Sequence, residues 1–229
     1  MSISIFALTK LLNIFVNNEI IFIMSQKKQN KELLILEAAE QEFLEKGYDG
    51  ARTISIAQAA GVTHAMLHYY FRTKEKLFER IVDEKVHLMS QSLQAALGDA
   101  SLPIVERIRY GIGLHFDFIA SNPELPRFAI NEIFSRPERC QMMHNRIDII
   151  AKSLYTSIQH EIDKAAEHDE RKKIDARMLL LSIISLNIFT FIATPFIKPI
   201  MGDLMSDRKR FLEARKRENI ETIMCRIKP

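Results

Sequence analysis

The sequence predicts an all-α protein in two parts, a short N-terminal helix-turn-helix followed by a longer bundle of helices. Apolar residues recur at helical spacing along most of the chain, and Gly61 separates two short helical patterns near its start. None of the 7 glycines lies between Gly113 and Gly202, which favours long helices in the second half. Hydrophobic residues make up 47% of the chain, enough to build a core in each part.

The helix-turn-helix is predicted for Thr53 to Lys74, TISIAQAAGVTHAMLHYYFRTK. Thr53 is expected to cap the first short helix, because its hydroxyl can accept a backbone N–H that has no partner within the helix. Gly61 stops that helix, since glycine takes the left-handed conformation without a Cβ clash. Thr63 is then expected to cap a second helix that runs through Tyr70.

The second helix of this pair has a predicted inner side and a predicted outer side. Met66, Leu67 and Tyr70 recur at the spacing of a buried stripe. The other residues therefore face outward, and those near the start of the helix are polar or aromatic. The outward-facing set is His64, Ala65, His68 and Tyr69.

The same stretch lacks carboxylates. No Asp or Glu lies between Asp49 and Glu75, although the chain has 29 such residues, while Arg52, Arg72 and Lys74 are cationic. A surface that approaches phosphates needs this absence, because a carboxylate would repel the nucleic-acid backbone. The pattern favours DNA binding over the alternative, a polar helical hairpin on the surface of the protein.

The run from Lys31 to Phe78, KELLILEAAEQEFLEKGYDGARTISIAQAAGVTHAMLHYYFRTKEKLF, closely resembles the DNA-binding domain of TetR-family transcriptional repressors. The similarity lies in the EKGYDG end of the first helix, the IAQAAGVT turn and the YYF-x-x-KEKLF exit into a long helix. Beyond this run the resemblance is only architectural. Two residues depart from the family pattern, since His68 replaces a frequent tyrosine and Arg52 stands where Thr or Ser is expected.

The resemblance implies a ligand-responsive transcriptional regulator, most often a repressor, that binds a palindromic operator in double-stranded DNA as a homodimer. An unknown small-molecule effector would bind in the C-terminal domain and release the DNA, and the last two helices would build the dimer interface. Lys74 matches a lysine that contacts phosphate in the family. The residues expected to contact DNA are Arg52, Thr53, Thr63, His64, Ala65, His68, Tyr69, Tyr70 and Lys74.

Three segments are predicted along the chain: an N-terminal extension over residues 1–23, the helix-turn-helix domain over 24–72, and the helical domain over 73–229. The extension is apolar only in patches, so it has neither the ~20-residue apolar run of a membrane span nor the pattern of a secretory signal. We expect translation to begin at Met24, which makes the extension non-native or disordered. A short amphipathic segment lying on the protein is the alternative.

Breaks in the sequence predict the bounds of the helices. Gly47 is expected to end the first helix, and Pro195 and Pro199 to end the most apolar one. A helix begins at Pro103, because proline suits the first turn of a helix. The predicted helices cover about 30–46, 74–97, 103–120, 123–134, 137–168 and 174–193, and Ser206 caps a last one.

The stretch from Ile174 to Ala193 is strongly apolar, but Ser182, Ser185 and Asn187 interrupt it. A membrane helix needs ~20 predominantly apolar residues, so we do not expect this stretch to span a membrane. A helix that is apolar on nearly every side is expected where one side meets its own core and the other meets a partner subunit.

The sequence argues against an enzyme. HExxH, GxSxG, Walker and GxGxxG patterns are missing, and no pair of carboxylates is fixed in a predicted cleft. The 7 histidines are scattered, so neither a metal site nor a cofactor is expected. Cys140 and Cys225 are isolated thiols, which fits a reducing cytoplasm.

The second domain is expected to hold an apolar ligand pocket with His115 or Asn187 as a polar handle. Aromatic and methionine residues on such helices are mostly ordinary core, and that alternative stays open for each of them. The expected lining residues are His115, Phe116, Phe134, Met142, Asn187 and Phe189.

The rival function is a helical protein-interaction module that binds no DNA. Such a module could also associate with a membrane through residues 1–23. The formal net charge of +3 permits nucleic-acid binding without demanding it. The carboxylate-free stretch is the observation that favours the DNA-binding function.

Overall fold

The computed structural model describes residues 30–99, 101–135, 137–165 and 174–227. The predicted extension over residues 1–23 lies outside these ranges. Within them the chain consists of helices joined by turns, and no strand is present. The prediction of an all-α fold is confirmed.

The first compact unit, Met1–Ile81, contains the helix-turn-helix in its described part. Its helices are α1 (residues 30–50), α2 (Thr53–Ala59), α3 (His64–Phe71) and the beginning of α4 (Lys74–Gly98). Every one of them contributes apolar side chains to the interior. The buried side chains include Ile35, Ala39, Phe43, Ile56, Leu67, Leu77 and Phe78.

Backbone conformation explains why α2 and α3 are separate helices. Gly61 has a φ of +64°, the left-handed conformation predicted for the turn. The Thr63 hydroxyl accepts the backbone N–H three residues later over 3.2 Å, so its predicted capping role is confirmed. The cap predicted for α2 is wrong, because Arg52 is the N-cap residue and Thr53 is the first helical residue. The Thr53 hydroxyl contacts the ring of His64 instead.

The first helix continues past the glycine that was expected to end it. Gly47 has a φ of +68°, yet the helix extends to residue 50, and the Ala51 N–H donates to the Gly47 carbonyl over 3.2 Å. Tyr48 follows directly and packs beside Phe43 and Phe78, with ring centroids 5.9 and 5.1 Å away. The left-handed glycine therefore precedes an aromatic cluster inside the unit.

The second compact unit, Val82–Pro229, is a bundle of helices. It contains the rest of α4, then α5 (Ile104–Ser121), α6 (Leu125–Ser135), α7 (Pro137–Ala165), α8 (Ala176–Ile192), α9 (Thr194–Met201) and α10 (Arg208–Ile227). The division between the units falls within α4, whereas the boundary was predicted before this helix. A buried cluster joins α5, α7, α8 and α10 through Ile108, Ile112, Ile158, Ile162, Leu179, Ile183, Ile223 and Met224.

The segment after α8 differs from the prediction that two prolines simply end a helix. α8 does end at Ile192, but the chain bends by 78° and continues as α9 and a 3₁₀ turn, Gly202–Met205. Pro195 lies in the first turn of α9, where its missing N–H costs no helical hydrogen bond. Pro199 lies inside the same helix. The prolines therefore redirect the chain without abolishing helical structure.

The last helix also begins differently from the prediction. Ser206 was expected to cap α10, but its hydroxyl donates to the Asp203 carbonyl over 2.7 Å. Asp207 takes the capping role, because its carboxylate accepts the Arg210 backbone N–H over 3.1 Å. A negative charge at this end also suits the helix dipole.

Part of the apolar surface of α8 is exposed in the single chain. No single helix of the described ranges is long and apolar enough to cross a membrane, and only α8 together with Thr194–Met205, bent by 78°, has that length and composition. The side of α8 that faces the core carries Leu179 and Ile183. The exposed apolar side chains of α8 are Met178, Leu181, Ile184 and Phe189.

Candidate DNA-binding surface and ligand cavity

The helix α3 presents a polar and aromatic outer face, and its buried side anchors it. Leu67 and Phe71 are buried, while Tyr69 on the opposite side is 71% exposed. The outward orientation expected for the start of the helix is therefore what the structure has. Of the residues expected to contact DNA, Arg52, Thr63, His64, Ala65, His68 and Tyr69 are exposed, and Thr53, Tyr70 and Lys74 are half-buried.

Two histidine rings meet on this outer face, one helical turn apart. Nε2 of His64 lies 3.2 Å from Nε2 of His68, and the ring planes stand at 87° to each other. Thr53 Oγ1 lies 3.0 Å from the same nitrogen of His64. The contact joins the first residue of α2 to the first residue of α3, which helps to fix the angle between the two helices.

The residue that follows α3 adopts an unusual backbone conformation. Arg72 has a φ of +54°, the positive-φ value that non-glycine residues rarely adopt. Its N–H donates to the carbonyl of His68 over 2.9 Å, and its own carbonyl oxygen lies 2.9 Å from Nδ1 of the His68 ring. Because a carbonyl only accepts, the His68 Nδ1 carries the proton in this contact.

A carboxylate of α1 holds the segment that leads into α2. Glu42 accepts the Arg52 backbone N–H over 3.1 Å and pairs with Lys46 over 2.8 Å. Burial raises the pKa of Glu42, but the hydrogen bonds and charges of Lys46 and Arg52 outweigh it and hold the pKa below its usual value. Its charge is thereby compensated within the unit, next to a stretch that has no carboxylate of its own.

The side chain of Lys74, the first residue of α4, contacts the aromatic cluster through Tyr48. Its ammonium lies 4.7 Å from the centroid of the Tyr48 ring, and Nζ lies 3.4 Å from the Asp49 carbonyl oxygen. The backbone N–H groups at the start of α4 and the ammonium of Lys74 both attract anions. The sequence identified the lysine but not its contact with Tyr48.

The second unit contains an apolar cavity of about 160 Å³. Four helices, α4, α5, α7 and α8, contribute four lining residues each. His115 is the single residue of this lining with a polar side chain. The aliphatic lining residues are Val86, Met89, Leu93, Leu97, Ile108, Ile112, Ile147, Ala151, Leu154, Ile158, Leu179, Leu180, Ile183 and Ile184.

Most of the residues predicted to line the cavity lie elsewhere in the structure or outside its described part. His115 lines the cavity, but Phe116 is buried elsewhere against Phe191, because neighbouring residues of a helix point in different directions. Met142 is half-buried outside the lining, and Phe189 is 62% exposed on the outer side of α8. The side chain of Phe134 lies outside the described part of the chain.

Sequence reasoning missed the aliphatic residues that make up most of the wall. In α4, Val86, Met89, Leu93 and Leu97 recur at helical spacing and all line the cavity. This stripe was visible in the sequence, but the prediction favoured aromatic and methionine residues. An aliphatic wall indicates a ligand with an extended apolar part.

A buried polar chain runs from the cavity wall into the bundle. Asn187 Nδ2 lies 3.0 Å from His115 Nδ1 and 3.1 Å from the Ile112 carbonyl, and Asn187 Oδ1 accepts from Asn219 Nδ2 over 2.9 Å. Asn219 also donates to the Leu186 carbonyl over 3.2 Å. Because the two carbonyls can only accept, both amide orientations are fixed and Asn187 donates to the ring.

The proton on the His115 ring follows from this arrangement. Nδ1 accepts a hydrogen bond, so the neutral ring carries its proton on Nε2. Burial lowers the pKa of His115 to about 4, which keeps the ring neutral at neutral pH. His115 can therefore donate one hydrogen bond to an acceptor such as a carbonyl oxygen, and Asn187 holds it in place from α8.

The chain is similar in sequence to known regulatory proteins. Residues 35–81 match the family model of the bacterial regulatory proteins of the TetR family. The chain is 24% identical over 134 residues to YdgC, an uncharacterized HTH-type transcriptional regulator of Bacillus subtilis, and the match covers 57% of this chain and 67% of that one. It is 27% identical over 120 residues to a second such regulator of this organism, YhgD, of which it spans 62%.

The fold of most of the chain has a counterpart among solved structures. The transcriptional regulator FadR of Bacillus subtilis, in complex with stearoyl-CoA, superposes with a TM-score of 0.61 at 21% identity and covers 84% of this chain and 97% of that one. At this identity the likeness shows the fold alone. These matched proteins are transcriptional regulators, which agrees with the expectation that the chain is not an enzyme.

Proposed function

Because the chain belongs to the TetR family of bacterial regulatory proteins, we propose that it is a ligand-responsive transcriptional repressor. It binds a palindromic operator as a homodimer, and an apolar small molecule in the cavity releases it. The observation that carries this proposal is the exposed outer face of α3, where His64, His68 and Tyr69 stand on a stretch without carboxylates. A face of this kind fits the major groove of DNA.

The proposed contacts divide into two kinds. Lys74 and the start of α4 bind a phosphate, because the ammonium and the backbone N–H groups attract the same anion. Arg52, Thr53, Thr63 and Tyr70 also hold the DNA backbone, which fixes position without reading sequence. The residues that reach base edges or nearby phosphates are His64, Ala65, His68 and Tyr69.

The exposed apolar side of α8 supports the proposed homodimer. Leu181 is 57% and Met178 is 52% exposed, although large apolar side chains gain free energy when they leave water. A second copy of the chain would cover this side through α8 and α10 in a four-helix interface. Two α3 helices would then reach successive major grooves, ~34–36 Å apart.

The cavity supports an effector with an aliphatic chain and one hydrogen-bond acceptor. The aliphatic wall suits the chain, and the Nε2–H of His115 suits a carbonyl oxygen. A long-chain acyl compound has both features, and FadR of Bacillus subtilis has been solved with stearoyl-CoA. We therefore propose fatty acyl compounds as the effector class.

To release the DNA, the ligand must bind one conformation of the protein more tightly than the other. Four residues of α4 line the cavity, and the same helix begins with Lys74, so a displacement of α4 by the ligand would move a DNA contact. Changing the ratio of DNA-bound to free dimers from 99:1 to 1:99 needs ~5.5 kcal/mol of differential binding. Two cavities in a dimer would supply about half of that each.

The test is fluorescence anisotropy with labelled DNA from upstream of the chain's own gene. We expect tight binding to one palindrome, and we expect fatty acids or their coenzyme A thioesters to release it. Ala151→Phe, which fills the cavity, should bind the DNA normally but resist release, whereas Ser157→Phe on the exposed side of α7 should behave like the unmodified chain. Absence of any operator-selective binding would remove the proposed function, and release unaffected by Ala151→Phe would remove the cavity as effector site.

A further inference from the structure

The histidine pair on α3 has a geometry that DNA binding does not require. We propose that His64 and His68 chelate a divalent transition-metal ion of the Zn²⁺, Ni²⁺ and Cu²⁺ class on the exposed face of this helix. No metal site was expected from the sequence, because its histidines are scattered and longer ligand patterns are missing, although HAMLH places two of them four residues apart. Two histidines at this spacing lie on the same face of a helix.

The distance between the two rings matches a shared metal ion. Nε2 of His64 and Nε2 of His68 lie 3.2 Å apart. Two nitrogens that are each 2.0–2.1 Å from one ion are about 2.8–3.4 Å apart, for ligand angles between octahedral and tetrahedral values. Both side chains are exposed, so an ion reaches them from solvent without opening the fold.

The backbone prepares His68 for this role. Its Nδ1 lies 2.9 Å from the Arg72 carbonyl oxygen, so Nδ1 carries the proton and Nε2 keeps a lone pair. A carbonyl bound to the second ring nitrogen is the usual support of a histidine that ligates a metal, since it fixes the ring and its tautomer. Arg72 presents this carbonyl from a positive-φ conformation, with φ of +54°.

The second ring, that of His64, has two close neighbours. Its Nε2 faces both the lone pair of His68 and the hydroxyl of Thr53, at 3.2 and 3.0 Å. Two neutral imidazoles cannot both direct lone pairs at each other, so either a proton or a cation lies between them. With a metal ion present, both lone pairs bind it, and the Thr53 hydroxyl is free to bind a metal-bound water.

The donor set defines the class of ion. Imidazole nitrogen suits Zn²⁺, Ni²⁺ and Cu²⁺, whereas Mg²⁺ and Ca²⁺ prefer oxygen ligands. Among the described residues no group of three or more His, Cys, Asp or Glu could hold a metal, so water completes the coordination shell. Binding is therefore reversible and weaker than at a structural zinc site with four protein ligands.

Metal binding and base reading use the same ring nitrogens. This consequence, unlike the site itself, rests on the proposed DNA-binding function. A metal ion held by His64 and His68 occupies the two atoms that would accept or donate hydrogen bonds at base edges. The ion therefore lowers selectivity for the operator over unrelated DNA.

The first experiment measures metal binding without DNA. Zn²⁺ is titrated into the full-length chain and followed by calorimetry and by the ¹⁵N resonances of the histidine rings, with Mg²⁺ as a negative control. We expect the Nε2 resonances of His64 and His68 to shift together, and His64→Gln or His68→Gln to weaken this binding at least ~10-fold, the smallest effect of losing even an outer-shell partner. The matched control is His160→Gln, which replaces a histidine of α7.

The proposal would be overturned if the His64 and His68 resonances did not shift when Zn²⁺ is added. It would also be overturned if His64→Gln and His68→Gln bound Zn²⁺ as tightly as the unmodified chain. Because this readout contains no DNA, it stands whether or not an operator is found. A second measurement compares operator and unrelated DNA with Zn²⁺ and with a chelator. Selectivity that falls with Zn²⁺ in the unmodified chain but not in His68→Gln supports the consequence, and selectivity unchanged by Zn²⁺ would contradict it.

Discussion

Asn187 Nδ2 lies 3.0 Å from His115 Nδ1, and neither side chain is open to solvent. The amide belongs to α8 and the ring to α5, so this contact joins two of the four helices that line the cavity. Asn187 reaches Asn219 of α10 as well, over 2.9 Å. A polar connection of three residues therefore links three helices of the bundle.

Replacing the middle residue of this connection should destabilise the second unit. Asn187→Leu leaves the His115 ring nitrogen without its donor and removes one of the two acceptors of the Asn219 amide, which keeps the Leu186 carbonyl. The expected loss is about 2 kcal/mol of unfolding free energy, measured by urea denaturation. Ser185→Ala, on an exposed position of the same helix, should change it by less than ~0.5 kcal/mol. Equal effects of the two substitutions would contradict the role assigned to Asn187.

The buried His115 should make stability depend on pH. Its pKa is about 4 in the folded chain, against an ordinary value of 6.5 for an exposed histidine, so the unfolded state binds the proton first as pH falls. Stability from this group is complete above pH ~6.5 and is lost as pH falls toward ~4, by about 3 kcal/mol in total. Denaturation curves between pH 7 and pH 4.5 should show this slope, and His115→Gln should remove it.

Two glycines of α5 should respond differently to alanine. A Cβ on Gly111 would meet Leu97 Cδ2 at 3.7 Å, an ordinary contact, so Gly111→Ala should raise the unfolding free energy by up to ~1 kcal/mol through helix propensity. A Cβ on Gly113 would lie 3.2 Å from Lys216 Cε, so that side chain must shift from its pair with Asp117. Thermal melts should rank Gly111→Ala above Gly113→Ala, and the reverse order would refute this packing.

The turn between α2 and α3 should tolerate asparagine better than alanine. Gly61 has a φ of +64°, and nothing lies within 4 Å of a Cβ placed there, so the cost of Gly61→Ala is backbone strain alone. That cost is about 1–2 kcal/mol, whereas asparagine adopts the left-handed conformation more readily. Urea denaturation should therefore place Gly61→Asn between the unmodified chain and Gly61→Ala. A neutral Gly61→Ala would show that the turn has another conformation.

Phosphate contact by Lys74 should appear in the salt dependence of DNA binding. With ~4 ionic contacts per subunit, the logarithm of the affinity should fall with the logarithm of salt concentration at a slope near −7 for a dimer. Lys74→Ala should weaken operator and unrelated DNA alike and reduce the slope by ~1 per subunit. His64→Ala should instead change sequence preference. An unchanged slope for Lys74→Ala would remove the phosphate contact.

Local patterns predicted most of the first unit. The stripe of Ile35, Ala39 and Phe43 is buried, and Gly61 and Thr63 form the turn and the cap as expected. These features depend on residues close in sequence, since spacing sets the buried face and a single backbone conformation sets the turn. Thr53 is not the cap because α2 begins one residue earlier than expected, with Arg52 as the N-cap residue. The Thr53 hydroxyl contacts His64 of another helix, and local rules do not predict such a contact.

The ligand cavity shows the limit of such reasoning. Apolar content predicted that a cavity exists, but which face of a helix meets it depends on packing among four helices. Phe189 looked like a lining residue and is 62% exposed, while Leu154 and Ile183 form the wall. The histidine pair of α3 has a visible spacing, yet the backbone of Arg72 that orients it has no signature in the sequence.

The aliphatic wall of the cavity has a consequence for what a cell could sense with this protein. A surface of methyl and methylene groups responds to size and hardly to chemical type, and each methylene that leaves water contributes ~0.8 kcal/mol, about fourfold in affinity. Molecules of one homologous series would therefore be ranked by length until the space is full, and the next carbon would be rejected by steric overlap. Such a receptor would respond to the distribution of chain lengths among the apolar molecules in the cell.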